Sequence, residues 1–510
     1  MENNFINGLK SNKNLTENGA VALSTTGSKL YDLFALGAAY RERTEHDCIL
    51  LFKEAYEENP SYALKCLSYI RDINEGQGER RFFRACIKWL AIHDPEAVER
   101  NIKIWVEGNY CRWDDLFVLF DTPCEKAVMH LIMKQFIQDI KWYEKGESVS
   151  LFAKWAPSCN ASSKRTKYYG KKIIKFLGIS EKEYRQLLSK LRERIRVVER
   201  LMSQQRWNEI DFEHLPSRAG LLYKKAFASR EEIAERYRQF AMSKNTVNAS
   251  VLYPYDVLHQ VVSSIDGYWS DEELPIDSSE RLMINKYWDN LPNTITTNDC
   301  HALVVCDTSG SMLCGNKIKP IDVAVSLAIY TAERAKGPFY NHYISFSSEP
   351  RLVEIKGIDF YDKALRIISE DLCEDTNLQG VFQLVLSNAI NNHLSQEDMP
   401  ESLIVISDMQ VNVAIGNWEN AEATLGREFM EAIRKEWEHS CKKANVSYSF
   451  PRLVFWNVNA KNNTFLQNPN DGVTYISGCS PVLLQQVMSG ISGMQLMEEI
   501  LNKERYNCII

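Results

Sequence analysis

The stretch that decides the fold is Ala302-Leu303-Val304-Val305-Cys306-Asp307-Thr308-Ser309-Gly310-Ser311, in which an apolar run of strand length leads directly into a polar loop. A strand that is apolar at every position is typical of a parallel sheet covered on both faces. Further runs of strand length follow at His342 to Phe346, Leu403 to Ile406 and Leu453 to Phe455. Helix-length segments separate most of them, near Ile321 to Arg334, Leu378 to Ile390 and Glu428 to Lys442. This alternation predicts an α/β domain with a mostly parallel, doubly wound sheet over residues 301–510.

Oxygen-bearing side chains stand where these predicted strands end. Asp307, Ser309 and Ser311 follow the first strand, Thr376 precedes a predicted helix, and Asp408 follows the strand that begins at Leu403. Binding sites of open α/β sheets form at the carboxyl ends of the strands. Carboxylate and hydroxyl oxygens suit a hard cation such as Mg²⁺. The alternative is that the two aspartates only accept hydrogen bonds from free backbone N–H groups at strand-to-helix turns.

Taken together, these loops resemble the metal-ion-dependent adhesion site of von Willebrand A domains. The resemblance implies that the serines and the threonine contact the metal and that the aspartates bind it directly or through water. It also implies an open coordination position for a carboxylate of a protein partner. Mg²⁺ is the expected ion, with Mn²⁺ and Ca²⁺ as alternatives. Asp375 stands where many members of that family have Gly, which adds negative charge beside the expected metal.

The region from 30 to 262 has helical periodicity nearly throughout. Short breakers, including Asn59-Pro60 and Gly76-Gln77-Gly78, divide it into successive helices. Short connections between helices predict an all-α, HEAT-like repeat domain, although no clean repeat period is present. The longest predicted helix runs from Glu181 to Gln204. Residues 1–29 form a polar N-terminal segment, and the acidic, turn-rich stretch 263–300 is predicted to be a linker.

Bulk composition indicates a multidomain globular protein. The chain has 510 residues, 45% hydrophobic and 25% charged, with a formal net charge of -7. Thirteen cysteines are scattered without a C-x-x-C pair, which argues against a disulfide framework and a structural zinc site. The apolar runs fall short of the roughly 20 residues of a membrane span, and the polar N-terminus lacks a secretory pattern. A cytoplasmic protein without membrane contact is the expectation.

Five short motifs carry a second resemblance, to the Ro autoantigen (TROVE) family and more closely to a related family of unknown function found in viral, bacterial and plant proteins. They are Gly76-Gln77-Gly78-Glu79-Arg80, Arg112-Trp113-Asp114-Asp115-Leu116, Lys154-Trp155-Ala156-Pro157-Ser158, Ser407-Asp408-Met409-Gln410 and Val454-Phe455-Trp456-Asn457. The similarity to Ro itself is architectural. It implies a ring of helical repeats closed by a von Willebrand A domain, which binds small structured RNAs and single-stranded RNA ends.

A basic tract from Lys164 to Arg206 offers an independent indication of RNA binding. It holds fourteen basic and four acidic residues, a local excess of ten positive charges in an acidic chain. Tyrosines within the tract could stack on unpaired bases. The candidate RNA-binding residues are Lys164, Arg165, Lys167, Tyr168, Tyr169, Lys171, Lys172, Lys175, Arg185, Arg192 and Arg196. The alternative is a solvated helix face whose basic residues pair with nearby Glu.

The sequence contains none of the common catalytic motifs that we searched for. The Gly76–Arg81 segment lacks the third glycine and the preceding strand of a phosphate-binding loop, so a helix-to-helix turn is expected there. His-Glu-x-x-His, Gly-x-Ser-x-Gly and Walker A patterns are absent. A nuclease is disfavoured because such a site needs clustered acidic ligands rather than hydroxyls. The sequence thus favours a non-catalytic RNA-binding scaffold with a metal-dependent partner site, and the alternative is a protein–protein adaptor with no RNA role.

Overall fold

The computed structural model describes residues 13–15, 21–265, 277–295, 301–315, 318–370, 376–410, 426–466, 472–488 and 490–510. The chain divides into two compact units. The sheet unit comprises Met1–Cys66 and Ala249–Lys503. The helical unit comprises Leu67–Asn248 and Glu504–Ile510.

The first 290 residues are mostly helical, which confirms the expected helical N-terminal half. A short antiparallel pair, β1 (Lys13–Leu15) and β2 (Val21–Leu23), precedes the helices. These are α1 (Lys29–Leu36), α2 (Glu45–Glu58), α3 (Pro60–Arg71), α4 (Arg80–His93), α5 (Pro95–Glu107), α6 (Glu125–Glu144), α7 (Phe152–Trp155), α8 (Lys164–Leu177), α9 (Glu181–Arg194), α10 (Val198–Ser203), α11 (Ser217–Ser229), α12 (Ala234–Met242), α13 (Pro254–Val262) and α14 (Ser278–Asp289). The HEAT-like repeat remains a prediction.

The glycine-rich segment between α3 and α4 is a helix-to-helix turn, as the sequence predicts. Gly78 has a φ of 65°, in the left-handed region that favours glycine. A Cβ atom on Gly76 would lie 2.0 Å from the backbone oxygen of Tyr69, so no other residue fits there. The Glu79 side chain then accepts a hydrogen bond from the Arg81 backbone N–H and caps α4.

The single helix predicted from Glu181 to Gln204 is wrong. The structure ends α9 at Arg194 and begins α10 at Val198. Between them Arg196 has a φ of 54°, and a right-handed helix cannot continue through a left-handed residue. Both helices still bury the apolar side that the periodicity indicates, through Leu191 and Val198.

The C-terminal part has alternating strands and helices. The strands are β3 (Ala302–Asp307), β4 (His342–Phe346), β5 (Arg351–Glu354), β6 (Ser402–Ser407), β7 (Arg452–Asn457) and β8 (Val473–Ser477). The accompanying helices are α15 (Pro320–Arg334), α16 (Phe360–Glu370), α17 (Leu378–Asn391), α18 (Gly426–Lys443), α19 (Leu484–Met488), α20 (Gly493–Leu501) and α21 (Glu504–Asn507). The α/β class and the predicted strands are thereby confirmed.

These six strands form one sheet in the order β5-β4-β3-β6-β7-β8. All neighbours pair in parallel except β5, which is antiparallel to β4 at the edge. Every residue of β3 and β6 is buried, as expected for central strands covered on both faces. After β3 the chain adds β4 on one side, and β6 then pairs on the other side of β3. The carboxyl ends of β3 and β6 therefore flank a topological switch point, where α/β sheets form binding crevices.

Three segments fall in a different unit from the one that the sequence suggests. Residues 249–262, which include α13 and were expected at the end of the helical domain, belong to the sheet unit. Residues 30–66, expected within the helical domain, belong to the sheet unit, where the Tyr31 hydroxyl donates to the Tyr475 carbonyl at 3.2 Å and accepts from its N–H at 3.0 Å. Residues 504–510, expected with the sheet, belong to the helical unit, where the Arg505 guanidinium pairs with Asp72. Long-range contacts of this kind leave no local sequence pattern.

The predicted linker at 263–300 contains α14, which packs within the sheet unit. Met283, Ile284 and Trp288 are buried, and the Trp288 ring stacks on Phe360 with centroids 3.7 Å apart. Residues 266–276 and 296–300, which hold most of the acidic side chains of this stretch, lie outside the described residues. Among the described helices, none combines the length and hydropathy that crossing a membrane requires.

Candidate metal centre and nucleic-acid interface

The two candidate aspartates lie at the same edge of the sheet. Parallel pairing sets Cys306 of β3 opposite Ile406 of β6. Asp307 is the last residue of β3, and Asp408 directly follows Ser407 at the end of β6. Both side chains are buried. The strand order thus places two carboxylates beside each other at the switch point, as the sequence predicts.

Hydrogen bonds fix the first carboxylate. Asp307 Oδ1 accepts from the Ser309 backbone N–H at 2.9 Å, and Asp307 Oδ2 accepts from the Ser407 hydroxyl at 2.5 Å. The Ser309 hydroxyl lies 3.2 Å from that of Ser311. The Ser311 hydroxyl in turn favours the charged form of the Asp408 carboxylate and so lowers its pKa. One polar network therefore links the two strand ends.

Thr376 joins this network from the segment before α17. Its hydroxyl donates to the Gln410 carbonyl at 3.4 Å, while the Gln410 backbone N–H donates to Asp408 Oδ1 at 3.2 Å. The neighbouring Asn377 caps α17 by accepting from the Gly380 N–H. Hence the structure brings the five predicted ligands to one edge of the sheet. Asp375 lies outside the described residues.

The buried Asp307 and Asp408 carboxylates have too little positive charge near them to balance their negative charges. Burial raises the pKa of Asp307. Burial, and then repulsion from Asp307, raise the pKa of Asp408 to about 7, although Lys461 opposes this with its Nζ 3.9 Å from Asp408 Oδ2. Asp408 Oδ2 is buried and accepts no hydrogen bond within the described part of the chain. Burying a charge without such a partner is costly.

This arrangement fits a divalent cation better than a purely structural turn. Each aspartate does accept a backbone N–H two residues ahead, as the turn-capping alternative predicts. That alternative does not explain why Asp408, which is repelled by the charge of Asp307, has its Oδ2 buried without a hydrogen-bond donor among the described residues. Within the described ranges no group of three or more His, Cys, Asp or Glu side chains could hold a metal ion, so a cation here would depend on two carboxylates and three hydroxyls.

Ser407 and Met409 are site residues that the sequence analysis did not assign. The Ser407 hydroxyl donates to Asp307 and accepts from the Met409 N–H at 3.0 Å, so it ties the two loops together. Met409 has a φ of 65°, uncommon for a residue with a side chain. Such backbone positions concentrate at functional sites. Ser407 belongs to the motif Ser407-Asp408-Met409-Gln410, so the sequence did contain a signal for it. Because Ser407 is the last residue of the predicted strand, its hydroxyl was not assigned to the site.

In the helical unit, four candidate lysines share one exposed face of α8. Lys164, Lys167, Lys171 and Lys175 recur at helical spacing opposite the buried Ile173, and all four are exposed. Within the described part of the chain, none of their side-chain ammonium groups forms an ion pair or hydrogen bond. We call these four residues the lysine stripe. Arg185 and Arg196 are also exposed and unpaired among the described residues.

Other candidates in the tract already have partners within the helical unit. Lys172 pairs with Asp121 and Glu125 at 2.5 and 2.6 Å, and the Tyr168 hydroxyl also donates to Asp121.

The ring of Tyr169 packs against Phe117 and Phe120, and its hydroxyl accepts from Arg165. Arg192 donates to the carbonyls of Ala153 and Ala156. The lysine stripe is therefore the part of the tract best placed to contact phosphates.

Three sequence motifs of the helical half meet in space. Arg80 of the first motif pairs with Asp114 and Asp115 of the second. Arg112 of the second lies over the Trp155 ring of the third, with its guanidinium carbon 4.0 Å from the ring centroid. The contact between these motifs could not be predicted from the sequence, because they are separated by more than 30 residues in the chain.

Two family models match parts of this chain, and both describe domains of unknown function. Residues 16–122 and 175–299 match a domain of unknown function, DUF2828, and residues 301–507 match another, DUF7788. The uncharacterized protein L728 of Acanthamoeba polyphaga mimivirus is 28% identical over 518 aligned positions, which cover 94% of this chain and 85% of that protein.

Among solved structures, the crystal structure of the Deinococcus radiodurans Ro (RSR) protein is similar, with a TM-score of 0.42 and 12% identity. The match covers 91% of this chain and 99% of that one. A TM-score this low carries no argument about function, so the Ro-like architecture remains an expectation that rests on the sequence motifs.

Proposed function

We propose that this protein is a non-catalytic scaffold whose sheet unit is a von Willebrand A-type domain that binds a protein partner through a divalent cation. The observation that carries the proposal is the buried Asp307 and Asp408 pair, with Asp408 Oδ2 lacking a hydrogen-bond donor. Asp307, Ser309, Ser311, Thr376 and Asp408 would hold the ion. Mg²⁺ is the first choice because it prefers oxygen ligands, with Mn²⁺ and Ca²⁺ as alternatives. When bound, it supplies a coordination position for a partner's carboxylate.

Thermal melts with and without Mg²⁺ test the metal half of this proposal. A ligand that binds only the folded state stabilises it by about 2.7 kcal/mol at a concentration of 100 Kd, so Mg²⁺ should raise the Tm of the wild type. Asp307→Ala should remove this increase without lowering the Tm of the metal-free protein, because it relieves repulsion between buried carboxylates. Glu397→Gln, which removes an exposed carboxylate of the same unit, is the matched control. An unchanged Mg²⁺ response in Asp307→Ala would refute the site.

A second observation, the lysine stripe, supports RNA binding by the helical unit. Four unpaired cations on one face can displace counterions from a phosphate backbone. Wild-type protein should then bind single-stranded or small structured RNA at about 50 mM salt, with an affinity that falls steeply as salt rises. If no salt-sensitive affinity for either kind of RNA is found, the protein is better described as a protein–protein adaptor.

The proposal also states that the bound RNA is not cleaved. The candidate metal site has two carboxylates, whereas metal-dependent nucleases use clustered acidic ligands, often around paired ions. Labelled RNA incubated with the purified protein and Mg²⁺ should remain full length. Protein-dependent cleavage that disappears in Asp307→Ala would show that the site is catalytic.

A further inference from the structure

The convergence of three motifs in the helical unit produces a cluster with excess positive charge. Among the described residues, Arg71, Arg80, Arg84 and Arg112 form ion pairs with only two carboxylates, those of Asp114 and Asp115. Arg71 and Asp115 are buried and pair at 2.7 Å, so one cation and one anion neutralise each other inside the unit. The guanidinium groups of Arg80, Arg84 and Arg112 remain. Their only further counter-charge among the described residues is Asp114, because the charge of Asp115 is already balanced by Arg71.

The three outer arginines keep hydrogen-bond donors available. Arg80 and Arg84 each bind Asp115 Oδ1 through Nε, at 2.6 and 2.7 Å, and Asp114 through Nη2. Their Nη1 groups donate to no described residue. Arg112 forms only a 3.4 Å ion pair from Nε to Asp114, so both of its terminal nitrogens are also unused within the described ranges. About a third of each of these side chains is exposed.

Both burial and neighbouring positive charge act on the guanidinium group of Arg112. Burial, and then repulsion from Arg80, lower the pKa of Arg112 to about 9. An oxyanion bound between these arginines would offset that repulsion. Planar guanidinium groups with free N–H donors match phosphate oxygens in geometry as well as charge.

The surroundings of the cluster favour a nucleic-acid phosphate over an isolated ion. Arg112 lies on the half-buried indole of Trp155, and the Lys154 ammonium is 5.4 Å from the same ring. Aromatic rings beside phosphate-binding cations are typical of surfaces that bind single-stranded nucleic acid.

The lysine stripe is carried by an element packed on the same segment. A Cβ atom on Gly170 of α8 would lie 3.3 Å from the Pro157 carbonyl, two residues beyond Trp155. Tyr169 of α8 also packs on Phe117 and Phe120, which follow Arg112 in the chain. Neighbouring elements of one unit therefore carry both sets of free cations.

We propose that Arg80, Arg84 and Arg112 form a phosphate-binding site, beside Trp155, that holds a backbone phosphate of single-stranded RNA. This inference deepens the RNA-binding part of the proposed function and rests on it. Arg80 and Arg84 also hold the buried Asp115, so their loss would affect folding. Arg112 is the better residue to test, because its side chain makes no hydrogen bond in the described structure.

The experiment compares the affinity of fluorescein-labelled oligouridylate for wild type, Arg112→Gln, Arg112→Lys and Arg100→Gln. Arg100 is exposed on α5 of the same unit and pairs only with Glu96 at 3.7 Å, so it controls for the loss of one surface charge. Arg112→Gln should weaken binding at least about tenfold, the effect of losing a charge-assisted hydrogen bond. Arg112→Lys should recover part of the loss, Arg100→Gln should bind as wild type does, and all four proteins should melt together.

Inorganic phosphate provides the second arm and separates the two proposals. If wild type binds RNA and Arg112→Gln binds it equally well, the arginine site is refuted while RNA binding stands. If wild type binds no RNA but millimolar phosphate raises its Tm and not that of Arg112→Gln, RNA is refuted as the ligand and the phosphate site is supported. If wild type binds no RNA and phosphate changes the Tm of wild type and Arg112→Gln equally, both proposals fail.

Discussion

Buried carboxylates in this protein are in two opposite situations. Asp115 accepts hydrogen bonds from Arg71, Arg80 and Arg84, so its negative charge has several positive neighbours. Asp408 is repelled by the charge of Asp307, and among the described residues its one ion-pair partner is Lys461, at 3.9 Å. The pKa of Asp115 is therefore held below its usual range, whereas that of Asp408 is raised. The first aspartate has its counter-charges within the protein, and the second is suited to an external cation.

Replacing Asp115 with Asn should destabilise the helical unit strongly. The change leaves the buried Arg71 and two partly buried guanidinium groups without their carboxylate, and breaking a buried ion pair costs roughly 3 to 5 kcal/mol. Urea unfolding at neutral pH measures this loss. Asp114→Asn, at a partly exposed position, is the control and should cost less.

The same variant has a defined pH dependence. Burial opposes ionisation of Asp115, but the charges of Arg71, Arg80 and Arg84 outweigh it and keep its pKa low. A lowered folded-state pKa gives stability that is present above the unfolded pKa of about 3.9 and is lost as pH falls further toward the folded value. The difference in stability between wild type and Asp115→Asn should thus shrink below about pH 4. A constant difference down to pH 2 would contradict this assignment.

At the scale of elements, the sequence predicts those strands and helices whose formation depends on residues close together along the chain. The strands at His342 to Phe346 and around Leu403 were predicted almost to the residue, because their apolar runs end in polar loops. The meeting of Asp307 and Asp408 followed from parallel pairing alone. The break at Arg196 could not be predicted, because it depends on one backbone angle within a continuous helical periodicity. Nor could the partners of Lys172 and Tyr169, because Asp121 and Phe117 belong to a segment that lies far from them in the sequence.

Neutralising the lysine stripe should weaken RNA binding without affecting the fold. Lys164, Lys167, Lys171 and Lys175 are exposed and unpaired among the described residues, so changing all four to Gln removes no internal ion pair. For single-stranded RNA, the slope of log affinity against log salt should become shallower by about 0.7 for each lysine that contacts a phosphate. A matched variant with Lys126, Lys134, Lys141 and Lys145 changed to Gln removes four exposed charges elsewhere in the unit. Equal effects of the two variants would show that the stripe has no special role.

The end of α8 provides a stability test of the element that carries the stripe. Gly178 has a φ of 66°, and its N–H donates to the Ile174 carbonyl, so it is a left-handed C-terminal cap. Gly178→Ala should lower the free energy of unfolding by about 1 kcal/mol, because a side chain disfavours that conformation. Gly178→Asn should cost less, since Asn tolerates it better. Equal losses in chemical denaturation would mean that the cap is not left-handed in solution.

At the scale of the whole molecule, the boundaries of the two compact units do not coincide with the acidic stretch at 263–300, where the composition of the chain changes. Contacts between residues more than 400 positions apart assign 30–66 to the sheet unit and 504–510 to the helical unit. Periodicity and charge cannot indicate such pairings, because each partner looks like an ordinary core or surface residue in its own segment. The candidate metal site was predictable despite this, because all of its residues lie on strand ends and loops of one continuous region.

The central claim, that Asp307 and Asp408 belong to a metal site, is tested most directly by anomalous diffraction from crystals grown with Mn²⁺, which substitutes for Mg²⁺ at oxygen sites. We predict an anomalous peak at the carboxyl ends of β3 and β6, within coordination distance of oxygens from Asp307, Ser309, Ser311, Thr376 and Asp408. The peak should be absent in Asp307→Ala crystals. An empty site in wild-type crystals at saturating Mn²⁺, or a peak only elsewhere on the surface, would contradict the claim.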